Sequence, residues 1–118
     1  MTTRQRAIEW IRSHHALQSE NPLRSSRFYS EPEIWFFTFP STFFDAKMEG
    51  YLNMLCEMQA NKKDFHYLRV PFSFFRDNRE KFDIRATGDE FDLRISGKKK
   101  NWLVDERSDH LTFAGFEQ

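Results

Sequence analysis

The chain has 118 residues and a mass of 14.3 kDa, enough for one compact domain with little room for two. Its 18 basic and 18 acidic side chains balance to zero formal charge. That disfavours both a strongly basic nucleic-acid binder and an acidic mimic of DNA. With 39% hydrophobic and 31% charged residues the composition is globular, and the 14 phenylalanines, three tryptophans and three tyrosines exceed what so small an interior easily hides. The single cysteine, Cys56, excludes an intrachain disulfide and a cysteine-based zinc ribbon. No apolar run has the length of a secretory signal core or a membrane span, so a cytoplasmic protein with a free thiol is expected.

The first segment reads as an amphipathic helix from about Thr3 to Leu17. Thr2 and Gln5 form a capping-box pair, and Ala7, Trp10, Ile11, His14 and Leu17 share one face. On that helix His14 is expected to pack and His15 to be solvated. Asn21-Pro22 ends the segment, and the polar stretch from Leu23 to Ser30 reads as a connector. Glu33 to Phe39 is the strongest strand signal, apolar in both alternating sets and stopped by Pro40. Tyr51 to Met58 favours a strand over a helix because Gly50 sits in the middle of the helical alternative.

Phe65 to Val70 is a further strand, stopped by Pro71. Phe91 to Ile95 alternates, with Asp92 and Arg94 outward. Gly97 to Lys100 reads as a turn that returns through Trp102 to Asp105, making a hairpin with a basic tip. Residues 106–118 form a tail expected to fold back through Phe113 and Phe116.

Phe39-Pro40-Ser41-Thr42-Phe43-Phe44 aligns with Val70-Pro71-Phe72-Ser73-Phe74-Phe75 at an offset of 31. Each copy reads as a strand stopped by proline, a hydroxyl residue to cap a short helix, and a Phe pair that pins it. The fold expected is therefore α+β, one domain over residues 1–118. An N-terminal helix (1–20) packs on a mixed, largely antiparallel sheet of about five strands (33–105) with two short Pro-started helices.

No catalytic constellation is apparent in the sequence. The four histidines lack metal-ligand spacing. Ser108-Asp109-His110 are too close in sequence for a hydrolase triad, and Cys56 sits among apolar neighbours. The widely spaced glycines form no phosphate loop. No catalytic, cofactor or metal residue is therefore assigned. A dispersed acid/base set of Glu57, His66, Arg69 and Asp92 ranks last, since His66 and Arg69 have opposite parity on one strand.

The order helix, three strands, helix, strand resembles the core of the PD-(D/E)XK nucleases. That family holds a divalent cation on an Asp followed, on the next strand, by Asp/Glu-x-Lys. The third strand here, Phe65-His66-Tyr67-Leu68-Arg69-Val70, carries no such triplet.

Two functional readings follow. In the first, the chain is a non-catalytic interaction module that self-associates or docks on a protein partner through exposed aromatics. Trp35, Phe37, Phe65, Tyr67 and Arg69 form its expected surface. In the second it contacts nucleic acid through Lys98, Lys99 and Lys100 with Trp102 beside them, helped by Arg4 and Arg6.

Overall fold

The computed structural model describes residues 1–118 as an α+β fold of three layers. Helix α1 (Thr3–His14) opens with the expected capping box: Thr2 Oγ1 accepts from the Gln5 main-chain N–H, and Gln5 Oε1 accepts from that of Thr2. It ends a turn earlier than expected. Leu17 is exposed in a separate 3₁₀ turn (Ala16–Gln18), where no layer faces it. The two histidines exchange their expected places. His14 is exposed and stacked on Trp10, whereas His15 is half-buried with its ring 4.8 Å from that of Tyr67.

The expected sheet of about five strands is two sheets of nine strands. The smaller has the order β1 (Leu23–Ser26), β4 (Tyr51–Glu57), β5 (Phe65–Pro71); β1 runs parallel to β4, and β5 antiparallel to it. The larger is antiparallel. It runs β2 (Phe28–Tyr29), β3 (Ile34–Pro40), β7 (Glu90–Ser96), β8 (Val104–Asp105), β9 (Leu111–Thr112), with β6 (Asp83–Ile84) also on β7.

The stretch read as a connector, Leu23 to Ser30, therefore supplies a strand to each sheet, and the sheet body begins before residue 33. Backbone pairing at a sheet edge, which polar side chains do not advertise, decides this. Ser26 is buried there, and its hydroxyl accepts from the Phe36 N–H at 3.0 Å while donating to the Arg27 oxygen. The tail also enters the larger sheet, through β9.

The main core lies between the sheets. Trp35, Phe37 and Phe39 of β3 and Phe91, Leu93 and Ile95 of β7 meet Leu52, Met54 and Cys56 of β4 and Leu68 and Val70 of β5. The opposite face of the smaller sheet packs under α1, where Ala7 and Ile11 meet Leu55, Phe65 and Tyr67.

Both proline corners form. Pro40 leads into a 3₁₀ turn (Ser41–Phe44) and Pro71 into α2 (Phe72–Asp77). Neither Thr42 nor Ser73 caps its helix, because proline itself occupies the N-cap position. The corners pack on each other, with the Phe43 ring 5.1 Å from Phe72 and 6.3 Å from Phe75. Helix α2 stops at Asp77. A 3₁₀ turn (Arg79–Lys81) then delivers Phe82 to the core.

Candidate binding surface

Four of the five aromatic-surface residues read from the sequence are interior. Trp35 and Phe37 face the smaller sheet, and Phe65 and Tyr67 lie beneath α1 with the Trp10 ring edge-on to both. Strand alternation places such residues on one face but does not say which layer covers it. Tyr67 is fully satisfied: its hydroxyl donates to Asn53 Oδ1 at 2.6 Å, and burial, partly opposed by the Arg69 charge, raises its pKa. Arg69 alone of the five stays half-exposed, its guanidinium 3.7 Å from the centre of the Tyr51 ring.

The exposed aromatics are elsewhere. Tyr29 on β2 is paired with Ile34 on β3, so Phe36, two residues on, is its diagonal neighbour on the outer face of the larger sheet. These two are 38% and 36% exposed. With Glu31, Pro32 and Ile34 they line a shallow groove of about 210 Å³. Arg27 lies over the Tyr29 ring at 4.5 Å and Arg107 over the Phe36 ring at 5.5 Å, each holding an aromatic face.

The rest of that face is electrostatically closed. Asp92 accepts from Arg85 at 3.0 and 3.1 Å and from the Thr38 hydroxyl at 2.7 Å; the Arg85 hydrogen bonds chiefly hold its carboxyl below the usual range. Arg94 pairs with Glu106, Arg85 also with Glu90, and Arg107 with Asp83. Beneath them Asp105 is buried and accepts from the main-chain N–H groups of Arg94 and Arg107. Its burial raises its pKa against those bonds.

The lysines lie on a turn after β7, as expected, but it continues through a 3₁₀ segment (Lys99–Asn101), and the return strand is confined to Val104–Asp105 instead of starting at Asn101. Lys98, Lys99 and Lys100 are exposed and none enters an ion pair. Trp102 is not beside them as a stacking platform. It turns inward, 5.7 Å from Trp35 and 4.9 Å from His66, and donates to Glu117 at 3.2 Å. Arg4 and Arg6 are likewise committed elsewhere. Arg4 donates to the Leu23 oxygen, and Arg6 pairs with Glu57, whose other oxygen accepts from the Phe28 N–H at 3.2 Å. The tip and the N-terminal arginines thus form no common surface.

The dispersed acid/base set does not converge. Glu57 is bound to α1, His66 packs on Trp35 and Trp102 beside Glu117, Arg69 is on the outer face of the smaller sheet, and Asp92 is on the outer face of the larger. The strands that resemble a nuclease core are split between the two sheets, β3 in one and β4 and β5 in the other. No three His, Cys, Asp or Glu side chains are grouped to hold a metal ion. Burial raises the pKa of the Cys56 thiol, and Ser108 donates to Asp105 while His110 is exposed in the following turn.

The Tyr29–Phe36 groove escapes a reading of the sequence because Tyr29 falls in a serine-rich, strand-poor stretch. The available signal is the apolar character of both alternating sets in Ile34 to Phe39, of which only one can face the core of a two-sheet fold. No helix is long and apolar enough to cross a membrane. Compared with family models, with curated proteins and with solved structures, the chain matches none.

Proposed function

We propose that this chain is a non-catalytic interaction module that pairs with a second copy of itself through the groove between Tyr29 and Phe36. The observation that carries this reading is the exposure of two neighbouring aromatics on a face whose remaining charges are paired. Their ring faces are already steadied by Arg27 and Arg107, so little side-chain freedom is lost on docking. Arg27 and Glu31, both exposed, stand on the same patch. Between two copies the Arg27 of one and the Glu31 of the other are opposite charges available for a reciprocal pair. The cytoplasm is its proposed location, from the lone thiol.

Size-exclusion chromatography with light scattering across protein concentration tests the reading. A dimer that persists at high salt and is lost in the double variant Tyr29→Ala, Phe36→Ala supports it. A monomer at every concentration overturns self-association.

A second reading, nucleic-acid contact, rests on the three unpaired lysines at the hairpin tip. It expects weak binding of a single-stranded oligonucleotide, measured by fluorescence anisotropy, that falls steeply with salt and is lost when Lys98, Lys99 and Lys100 are all replaced by glutamine. Binding that ignores salt, or none at low salt, removes it.

A further inference from the structure

Arg69 differs from the other half-buried arginines of this fold. Arg6 pairs with Glu57, Arg94 pairs with Glu106, and Arg76 donates to the main-chain oxygens of Met48 and Asp45. Arg69 is half-buried, yet its guanidinium makes no hydrogen bond and no ion pair. Its Nε–H is sealed from solvent without an acceptor. A donor left in that state costs free energy, and a charged one costs more.

The surroundings of Arg69 explain why nothing within the chain satisfies it. It stands on β5 directly opposite Asn53 on β4, where a carboxylate would be its cross-strand partner. Asn53 is committed at both ends. Its amide donates to the Gln18 oxygen at 2.8 Å and its oxygen accepts from the Tyr67 hydroxyl at 2.6 Å. The guanidinium carbon sits 3.7 Å over the centre of the Tyr51 ring, which anchors the head of the side chain. The two Nη groups, unlike Nε, are not sealed from solvent. The result is a cation seated over an aromatic ring and without a counter-ion, on the outer face of the smaller sheet.

We propose that Arg69 is an oxyanion-binding residue, Tyr51 its platform, and that its two solvent-reaching Nη groups take a carboxylate or phosphate group in a bidentate contact. The site is separate from the Tyr29–Phe36 groove, which belongs to the other sheet. Its outcome is therefore independent of whether the chain self-associates.

Nitrogen-15 spectra of the arginine Nε–Hε groups test it, with sodium phosphate, sodium acetate and sodium chloride added separately at matched ionic strength and pH. The Arg69 resonance is assigned by its loss in Arg69→Lys or, if that variant does not fold, in Arg69→Gln. The expected result is a saturable movement with phosphate or acetate that chloride does not reproduce; whichever anion saturates first names the preferred group. Tyr51→Leu should raise the half-saturating concentration about two- to fivefold. A resonance that moves no further with either oxyanion than with chloride overturns the proposal, as does a titration unchanged in Tyr51→Leu.

Discussion

The indole N–H of Trp35 donates to the main-chain oxygen of Glu57 at 2.8 Å, joining the larger sheet to the last residue of β4 in the smaller. Both residues are buried, so no water replaces that donor. Trp35→Phe removes the donor and part of the ring. It is expected to lose about 1–3 kcal/mol, read as a lower urea midpoint with an unchanged slope.

The side chain of the same glutamate ties α1 to the sheets. Glu57→Ala leaves Arg6 without its partner and the Phe28 N–H without its acceptor. Because Arg6 keeps some solvent contact, the expected loss is about 2 kcal/mol rather than that of a fully buried ion. Arg6→Met should cost more, since it strands the buried Glu57 carboxylate with only the Phe28 N–H, whereas in Glu57→Ala Arg6 still donates to the Lys62 and Met1 oxygens. If the two variants are equally stable in urea, this division of roles is wrong.

Acid titration isolates Asp92. Its folded carboxyl titrates below the ordinary value of 3.8 because of Arg85. Its contribution is therefore present above that value and is lost as pH falls through the lower folded one. Asp92→Asn is expected to be less stable than the parent at pH 7 by about 1 kcal/mol, with the gap closing below the ordinary carboxylate range. Asp105, whose pKa burial raises, is present in both proteins and cancels from the difference. A gap that widens towards acid would contradict the assignment.

Two phenylalanines should respond oppositely to truncation. Phe75 is fully buried, its ring within about 6 Å of those of Phe39, Phe82 and Phe91. Phe75→Ala is expected to cost about 3–5 kcal/mol, much of the stability of a domain this size. Phe36→Ser on the open face, compared at protein concentrations where both chains are monomeric, should stay within about 0.5 kcal/mol. Thermal denaturation of both variants measures the contrast.

Native Cys56 should resist thiol reagents, since it is fully buried and its thiolate is disfavoured by desolvation, with Glu117 adding to the shift. Reaction with an aromatic disulfide is expected to track global unfolding in urea. Fast labelling of folded protein would show the main core to be open.

Local patterns carried most of the elements. The capping box at Thr2 and Gln5 set the start of α1, the proline stops set the ends of β3 and β5, and strict alternation set the inward face of β7. Even the choice of strand over helix for Tyr51 to Met58 was legible from Gly50, which has a φ of +80° that a helix interior does not accept. Leu23 to Tyr29 was not legible, because a polar edge strand is held by backbone pairing and its side chains are free to look like a loop.

The sequence by itself determined the α+β class and the strand periods, whereas the aromatics it counts as more than a small interior easily hides are mostly buried, with only Tyr29 and Phe36 exposed. Only the tertiary structure decided where those aromatics go. The strands divide between two sheets instead of one, so β3 and β7 bury one face against β4 and β5, while α1 covers Phe65 and Tyr67. Period-two alternation separates the two faces of a strand, but whether a face meets water, a helix or another sheet depends on partners distant in sequence. That is why Trp35 and Tyr67 became core, and Tyr29, Phe36 and Arg69 remained at the surface.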